Sequence, residues 1–503
     1  DWKLAPEESF QTPEAVVVWS GQGMGDMSRA FHRLYRTRLA RGQWRDRPRP
    51  ILINNWEATY FDFTEDKLVA IARAAREDGV ELFVLDDGWF GARCSDSAGL
   101  GDWTPNLDRL PGGVTRLAER IEALGMQFGL WFEPEMVNRD SQLFRAHPDW
   151  VLQTPGRRAS LGRNQLVLDF SRTEVVDNIY EQMAKILSQA KVSYVKWDMN
   201  RSMTEVYSAA LPPDRQGEVM HRYILGVYDL YDRLTRRFPH ILFESCASGG
   251  GRFDPGMLYY APQCWTSDDS DGVERQKIQY GTSFCYPLSS IGAHVSAVPN
   301  HQVNRLTPLS TRANVAAFGT FGYELDLNRL TPEERAQVRE QIAFMKEYRQ
   351  VIQFGDFYRL LSPFEGNFTA WMVVSPDRRT ALVGWYKVLN EVNGPYRRVR
   401  LRGLDPSLRY TVDGGSEHFG DELMEVGLLT TDSAAGERQP DEPPARDFDS
   451  HIFVLKACPE AGFSEFSPRA REICLLQSGE HCDILIGPPE FFRKTSQLPA
   501  RGP

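Results

Sequence analysis

The segment "VSYVKWDMNR" (residues 192–201) decides the fold. Its apolar alternation runs directly into Lys196, Trp197 and Asp198. One interpretation is a buried strand that ends in an ion pair, with an aspartate that caps the following helix. The other is a strand that presents a catalytic carboxylate, because Lys196 and Asp198 lie two residues apart and share one face of the strand. The pattern of the remaining chain separates the two interpretations.

Seven further segments between residues 51 and 326 show a short apolar strand that ends in polar, acidic or aromatic residues. They are "ILINNW" (51–56), "ELFVLDDGWF" (81–90), "QFGLWFEPEMV" (127–137), "HILFESCASGGG" (240–251), "YAPQCWTSDD" (260–269), "YPLSSIGAHVS" (286–296) and "AAFGTFGYELD" (316–326). Helical patterns separate the strands, such as the one after Thr64, which is a candidate N-cap. This alternation predicts right-handed βαβ crossovers and a parallel sheet. Because a (β/α)8 TIM barrel carries its active site at the C-terminal strand ends, we predict such a barrel over residues 51–345.

The rest of the chain does not follow the barrel pattern. A surplus strand candidate, "NQLVLDF" (164–170), is interpreted as part of an insertion after the third barrel strand. After about residue 356, period-two segments such as "FTAWMVV" predict a C-terminal antiparallel β-sandwich over residues 356–456. Residues 1–50 are interpreted as a remnant of an N-terminal region or linker, and residues 457–503 form a tail that we leave unassigned.

Composition excludes several classes of protein. The 503 residues carry a net charge of −10, which argues against nucleic-acid binding, because phosphate recognition needs a basic face. No apolar run of eighteen residues occurs, so no membrane association is expected. Seven scattered cysteines without a CxxC pair, and an N-terminus unlike a signal peptide, predict reduced thiols in the cytoplasm. Histidines without clustered spacing, and glycine runs without phosphate-loop or dinucleotide spacing, predict neither a metal nor any other cofactor.

Carboxylates and tryptophans gather at the predicted strand ends. The carboxylates are Asp86, Asp87, Glu133, Glu135, Asp198, Asp268, Asp269 and Asp271, and the tryptophans are Trp56, Trp89, Trp131, Trp197 and Trp265. This mixture suits a sugar, whose hydroxyls need acceptors and whose apolar ring face needs a platform. Glycosidic cleavage needs two carboxyl groups, one as nucleophile or base and one as acid. The alternative is a set of helix caps and ion pairs at the barrel rim.

In these motifs the sequence resembles glycoside hydrolase family 36, the bacterial-type α-galactosidases. The matching pieces, in order over residues 16–330, are "NNWEATYFDF", "LDDGWFG", "GLWFEPEMV", "YVKWDMNR", "ESCASGGGRFD", "WTSDDSDGVERQKIQYGTS" and "GAHVSAVPNHQ". The resemblance implies a retaining enzyme with one β-sandwich before the barrel and one after it. It also implies that this chain lacks the N-terminal sandwich. Many bacterial members are homotetramers, and the assembly of this chain stays open.

The resemblance also implies roles for individual residues. Asp198 corresponds to the nucleophile and Asp268 to the acid/base, with Asp269 and Asp271 in support. The positions that shape or bind the galactose subsite correspond to Trp56, Asp86, Asp87, Trp131, Arg163, Lys196, Cys246 and Gly249. Asp86 and Asp87 would take the 4- and 6-hydroxyls, and the loop from Cys246 to Arg252 would face the C2 substituent.

The expected function is hydrolysis of terminal α-linked galactose from oligosaccharides such as melibiose, raffinose and stachyose, through a galactosyl-enzyme. Two alternatives within the same class are an α-N-acetylgalactosaminidase and a galactosyl-transferring relative. From a different class comes a truncated carbohydrate-binding protein without catalysis. A protein that binds α-galactosides but does not hydrolyse them would indicate the carbohydrate-binding alternative.

Overall fold

The computed structural model describes residues 1–392, 394–430 and 446–459. The unassigned tail, residues 457–503, therefore lies outside the described residues from position 460 onward. The first ten strands are β1 Leu52–Asn54, β2 Leu82–Leu85, β3 Gln127–Phe132, β4 Met136–Asn138, β5 Gln165–Val167, β6 Tyr194–Trp197, β7 Leu242–Ser245, β8 Gln263–Trp265, β9 Ile291–Ser296 and β10 Thr320–Glu324.

Eight of these strands close a barrel. They follow the order β1-β2-β3-β6-β7-β8-β9-β10, every pair is parallel, and β10 pairs with β1. All residues of the barrel strands are buried except Gln127, as expected for parallel strands that helices cover on the outside. The (β/α)8 barrel predicted from the sequence is confirmed, and its C-terminal strand ends converge at one rim.

The surplus strand candidate lies outside the barrel. It forms β5, which pairs antiparallel with β4, so that Val137 lies opposite Leu166. Both strands fall between β3 and β6 in the chain. The interpretation of this segment as an insertion after the third barrel strand is therefore confirmed.

The described residues form twelve α-helices, four of which begin at a side-chain N-cap. The twelve helices are α1 Met24–Leu34, α2 Trp56–Thr59, α3 Glu65–Asp78, α4 Gly113–Ala123, α5 Gln142–Ala146, α6 Thr173–Gln189, α7 Val219–Arg237, α8 Pro255–Tyr260, α9 Glu274–Thr282, α10 Leu309–Ala316, α11 Pro332–Phe354 and α12 Gly420–Glu425. Thr64 caps α3 by accepting a hydrogen bond from Lys67 N, as the sequence predicted. Nowhere in the described part of the chain does a helix combine the length and the apolar character that crossing a membrane requires.

The C-terminal region is built from antiparallel strands. They are β11 Asp356–Leu361, β12 Phe368–Val374, β13 Thr380–Lys387, β14 Arg398–Val399, β15 Arg409–Val412, β16 Glu417–Phe419, β17 Leu428–Leu429 and β18 Asp449–Ala457. Six of them form one sheet in the order β11-β12-β13-β18-β15-β16, while β14 and β17 form a second, two-stranded sheet. Val399 and Leu428 of the small sheet share an apolar core with Met372 and Val383 of the large sheet. This confirms the antiparallel C-terminal domain.

Candidate active site

A cavity of about 290 Å³ opens at the C-terminal rim of the barrel. Eight of the ten residues singled out in the sequence line it: Trp56, Asp86, Asp87, Trp131, Arg163, Lys196, Asp198 and Asp268. Seven further residues complete the wall, of which Trp265 was named above as a strand-end tryptophan: Glu57, Tyr60, Asn200, Trp265, His301, Gln302 and Glu324. Polar groups predominate in this wall, which suits a ligand rich in hydroxyls.

Asp198 directly follows β6 and is oriented by four hydrogen-bond donors. Its Oδ2 accepts from Trp131 Nε1 at 3.2 Å and from Asn200 Nδ2 at 2.8 Å. Its Oδ1 accepts from Met199 N at 2.8 Å and from Ser248 N at 3.3 Å. An ionised carboxylate only accepts hydrogen bonds, so donors on both oxygens suit that form and fix its direction.

Asp268 has a different environment. Burial raises the pKa of its carboxyl, and the negative charge of Asp198 raises it further. Its Oδ1 accepts from Trp265 Nε1 at 3.0 Å. The indole of Trp265 stacks with the ring of His294, with 4.3 Å between centroids, and the guanidinium carbon of Arg275 lies 4.3 Å from the indole centroid. Asp268 therefore keeps its proton to a higher pH than an ordinary aspartate, as a general acid requires.

Two buried ion pairs form another part of the wall. Lys196 Nζ donates to Asp86 Oδ2 at 2.9 Å, and Asn54 Nδ2 donates to the same oxygen at 2.7 Å. Burial opposes the charged form of Lys196, but the negative charges of Asp86, Glu324 and Asp198 together outweigh it and raise the pKa of the lysine well above its usual range. Asp87 accepts from Arg93 at both oxygens, at 2.9 Å and 2.7 Å. Asp86, Asp87 and Lys196 are thereby held as charged groups in the wall of the cavity.

Cys246 and Gly249 do not line the cavity but lie in a loop behind it. Gly249 N donates to the buried Sγ of Cys246 at 3.3 Å. Gly249 has a φ of +85°, and a Cβ there would lie 2.5 Å from Ser267 Cα. Only glycine allows this loop to pass so close to the segment that carries Asp268. The two residues contact the cavity residues without facing the cavity, and their role in selecting the sugar stays a prediction.

Asp271, predicted to support Asp268, and the strand-end carboxylate Glu135 do not line the cavity. Asp271 accepts from Val273 N at 2.9 Å and from Glu274 N at 3.0 Å, so it caps the first turn of α9, and it pairs with Arg305. Glu135 pairs with Arg252, and the Nη2–Oε1 distance is 2.7 Å. These residues stabilise the loops at the rim, which is the structural role that the alternative interpretation assigned to such carboxylates.

Two cavity-lining residues that the sequence analysis did not name, Glu324 and Asn200, could have been predicted from their positions in the sequence. Glu324 ends β10 and so follows the same strand-end rule as Asp198. Asn200 lies two residues after Asp198 and donates to it. Glu57, in contrast, lies in the four-residue helix α2, and His301 lies in the loop after β9; both segments are too short or too irregular for periodicity to predict their path.

A closed parallel barrel that presents two differently held carboxyl groups and several tryptophans at its C-terminal rim has the site of a glycoside hydrolase. Residues 9–355 match the melibiase family, and residues 368–455 match the C-terminal domain of glycosyl hydrolase family 36. The chain belongs to this family, and the resemblance seen in the sequence is confirmed.

Individual relatives agree with this assignment. The α-galactosidase AgaA of Geobacillus stearothermophilus is 60% identical over 427 residues, which cover 85% of this chain and 59% of AgaA. The α-galactosidase Mel36A of Lactobacillus acidophilus is 50% identical over 85% of this chain and 58% of its own length. The crystal structure of AgaA superposes with a TM-score of 0.87 at 58% identity, covering 90% of this chain and 62% of AgaA. The chain thus spans about 59% of the length of AgaA.

Proposed function

We propose that this protein is a retaining α-galactosidase that removes terminal α-linked galactose from oligosaccharides of the melibiose, raffinose and stachyose type. The observation that carries the proposal is the pair Asp198 and Asp268 in one cavity. Asp198 accepts four hydrogen bonds, whereas the pKa of Asp268 is raised by burial and by the charge of Asp198. One carboxylate is suited to attack and the other carboxyl to give a proton.

The reaction has two displacements. First, a carboxylate oxygen of Asp198 bonds to C1 while the bond from C1 to the leaving oxygen breaks, and Asp268 gives its proton to that oxygen. Next, a water attacks C1 and gives a proton to Asp268, and the bond between C1 and Asp198 breaks. Galactose leaves with the anomeric configuration of the substrate, and both carboxyl groups return to their starting states.

The substrate assignment has two supports. Asp86 and Lys196 offer buried charged partners for sugar hydroxyls, and Trp56 offers an aromatic face at the rim. In addition, variants of AgaA were crystallised in complex with raffinose and with stachyose. The barrel over residues 51–345 is proposed to carry this activity.

We also propose selectivity for galactose over N-acetylgalactosamine. C2 of the sugar is bonded to C1, so its substituent lies near Asp198 and near the loop whose Ser248 N donates to Asp198. An acetamido group adds several heavy atoms there, and overpacking a rigid site costs about 1–3 kcal/mol. Comparable kcat/KM values for the two p-nitrophenyl glycosides would contradict this selectivity.

The assay for the main proposal uses p-nitrophenyl α-galactoside and melibiose. The wild type should hydrolyse both, and Asp198→Ala should lose roughly 10⁴-fold in kcat because no galactosyl-enzyme forms. Asp229→Ala, which changes an aspartate on the outer face of α7, is the matched control and should keep wild-type rates. Binding of melibiose without turnover by the wild type would indicate a carbohydrate-binding protein instead.

A cytoplasmic location is part of the proposal. It rests on the thiols of Cys94, Cys246, Cys264 and Cys285, which form no disulfide among the described residues.

A further inference from the structure

Glu57 connects three loops at the rim of the cavity. It follows Trp56 on α2, directly after β1, and its side chain is only 6% exposed. Its Oε1 accepts from Ser270 Oγ at 2.7 Å and lies 3.3 Å from His301 Nδ1. Ser270 lies two residues after Asp268 in the loop after β8, and His301 lies in the loop after β9. One carboxylate oxygen therefore ties the loops of β1, β8 and β9 together.

His301 lies on the acid/base side of the cavity. The barrel order places β8 and β9 side by side, so the loops that carry Asp268 and His301 are neighbours. Asp86, Trp131 and Lys196 come from β2, β3 and β6, which adjoin one another on another part of the barrel. Asp268 gives its proton to the leaving oxygen in the proposed reaction, so the group attached to that oxygen faces the wall next to Asp268. His301 and Gln302 form that wall.

The contact with Glu57 fixes the chemistry of the imidazole. A proton on His301 Nδ1 is donated to the carboxylate of Glu57, so Nε2 of the neutral ring is an acceptor and Nε2 of the protonated ring is a donor. Within the described residues, no protein group bonds this Nε2, and the side chain is 32% exposed. His301 thus offers one hydrogen-bonding atom to a ligand in the cavity.

We propose that His301, oriented by Glu57, is a specificity-determining residue that hydrogen-bonds a hydroxyl of the leaving sugar. This inference rests on the proposed galactosidase function and adds to it the recognition of the group that leaves. A polyhydroxylated leaving group can use this contact, whereas an aryl leaving group without a hydroxyl cannot.

The surrounding charges set the pH at which this recognition changes. The hydrogen bond to Glu57 raises the pKa of His301, burial opposes it, and the negative charges of Glu57, Glu324 and Asp268 raise it further. The protonated ring therefore persists to a higher pH than in a free histidine. Above that pH Nε2 changes from donor to acceptor, so KM for a sugar leaving group should depend on pH in a way that KM for an aryl leaving group does not.

The experiment compares melibiose with p-nitrophenyl α-galactoside in the wild type, His301→Ala and Glu57→Gln. His301→Ala should lower kcat/KM for melibiose by roughly tenfold to a hundredfold, the worth of one hydrogen bond to a charged group. The aryl galactoside should change by less than about threefold, since it has no hydroxyl on the leaving group. Glu57→Gln keeps the shape of the side chain but removes the charge that raises the pKa of His301, so the pH dependence of KM for melibiose should shift to lower pH.

Ser270→Ala separates this role from a purely structural one. Ser270 bonds Glu57 but does not line the cavity, so its loss should affect kcat for both substrates alike through the position of Asp268. Equal losses for both substrates in His301→Ala, or no loss for either, would overturn the inference while leaving the galactosidase function intact. A wild type that hydrolyses neither substrate would overturn the proposed function, and this inference with it.

Discussion

After Lys196, which has the larger effect, Trp265 lowers the pKa of Asp268. Its indole N–H donates to Asp268 and holds the pKa of the carboxyl below the value that burial and Asp198 would otherwise give. Trp265→Phe removes the donor, so the pKa of Asp268 should rise. A general acid works while protonated, and activity is lost as pH rises through its pKa, so the alkaline limb of kcat/KM should move to higher pH. A limb that stays in place, or moves to lower pH, would contradict the role of Trp265.

Glu133 gives a second prediction at the residue scale. It is fully buried near Asp198 and accepts from Asn200 N at 2.5 Å and from Gln165 Nε2 at 3.2 Å. Burial, followed by the charge of Asp198, raises its pKa from 4.5 to about 8. A raised pKa means that the stabilising effect of the protonated group is complete below pH 4.5 and is lost as pH rises towards about 8.

The test of this effect is urea unfolding of Glu133→Gln beside the wild type. The stability of the variant relative to the wild type should increase between pH 4.5 and about 8 and then level off. Glu135→Gln is the control in the same loop, because Arg252 lowers the pKa of Glu135 against the effect of burial. The stability that Glu135→Gln loses relative to the wild type should become smaller as the pH falls, whereas the stability of Glu133→Gln relative to the wild type should increase as the pH rises. A stability difference for Glu133→Gln that does not change with pH would reject the prediction.

At the scale of elements, the sequence predicted which residues end the barrel strands, but it did not predict which loop residues contact them. Parallel barrel strands are buried on both faces and are mostly apolar until their C-terminal ends, so "YVKWD" and "LFVLDD" are visible as strands, and barrel geometry brings their ends to one rim. Eight of the ten candidate residues therefore line one cavity. Arg93, Ser248 and His301 approach from irregular loops, and their contacts depend on turns that no period describes.

For the C-terminal strands, too, the sequence predicted the element but not what it packs against. In "FTAWMVV", Ala370, Met372 and Val374 face one apolar core, while Trp371 and Val373 face the barrel core. Alternation along the chain predicted a strand, since side chains of a strand point to opposite faces. It did not predict that both faces are buried against different partners.

Gly249 gives a prediction at this scale. Gly249→Ala combines a φ of +85° with a Cβ 2.5 Å from Ser267 Cα, so the segment that carries Asp268 must move. A displacement of about 1 Å at a catalytic group costs roughly 10²-fold in rate, which is the expected loss in kcat. Gly414→Ala is the control, since its φ is +70° and no atom lies within 4 Å of the added Cβ. Equal kcat values for the two variants would contradict the role of Gly249.

At the scale of the molecule, residues Asp1–Ala457 form one compact unit. Trp371 of β12 is fully buried and contacts Phe318, which precedes β10, at 5.7 Å between ring centroids, and Tyr386 of β13 at 5.0 Å. Trp371→Ala should cost about 3–5 kcal/mol of stability, because the cavity lies where the barrel and the sheet share their core. Loss of activity and loss of near-UV circular dichroism on heating should coincide, and two separate transitions would contradict a shared core.

The central claim is that Asp198 forms a covalent bond to galactose, and one measurement tests it most directly. In a 2-deoxy-2-fluoro α-galactosyl fluoride the 2-fluorine slows both displacements, whereas the good fluoride leaving group restores the first, so a fluorogalactosyl-enzyme should accumulate. Peptide mass spectrometry of the inactivated protein should find the added fluorosugar on Asp198, in the peptide that contains "YVKWDMNR". The same label on any other residue, or turnover without a covalent species under conditions that trap a retaining enzyme, would contradict the claim.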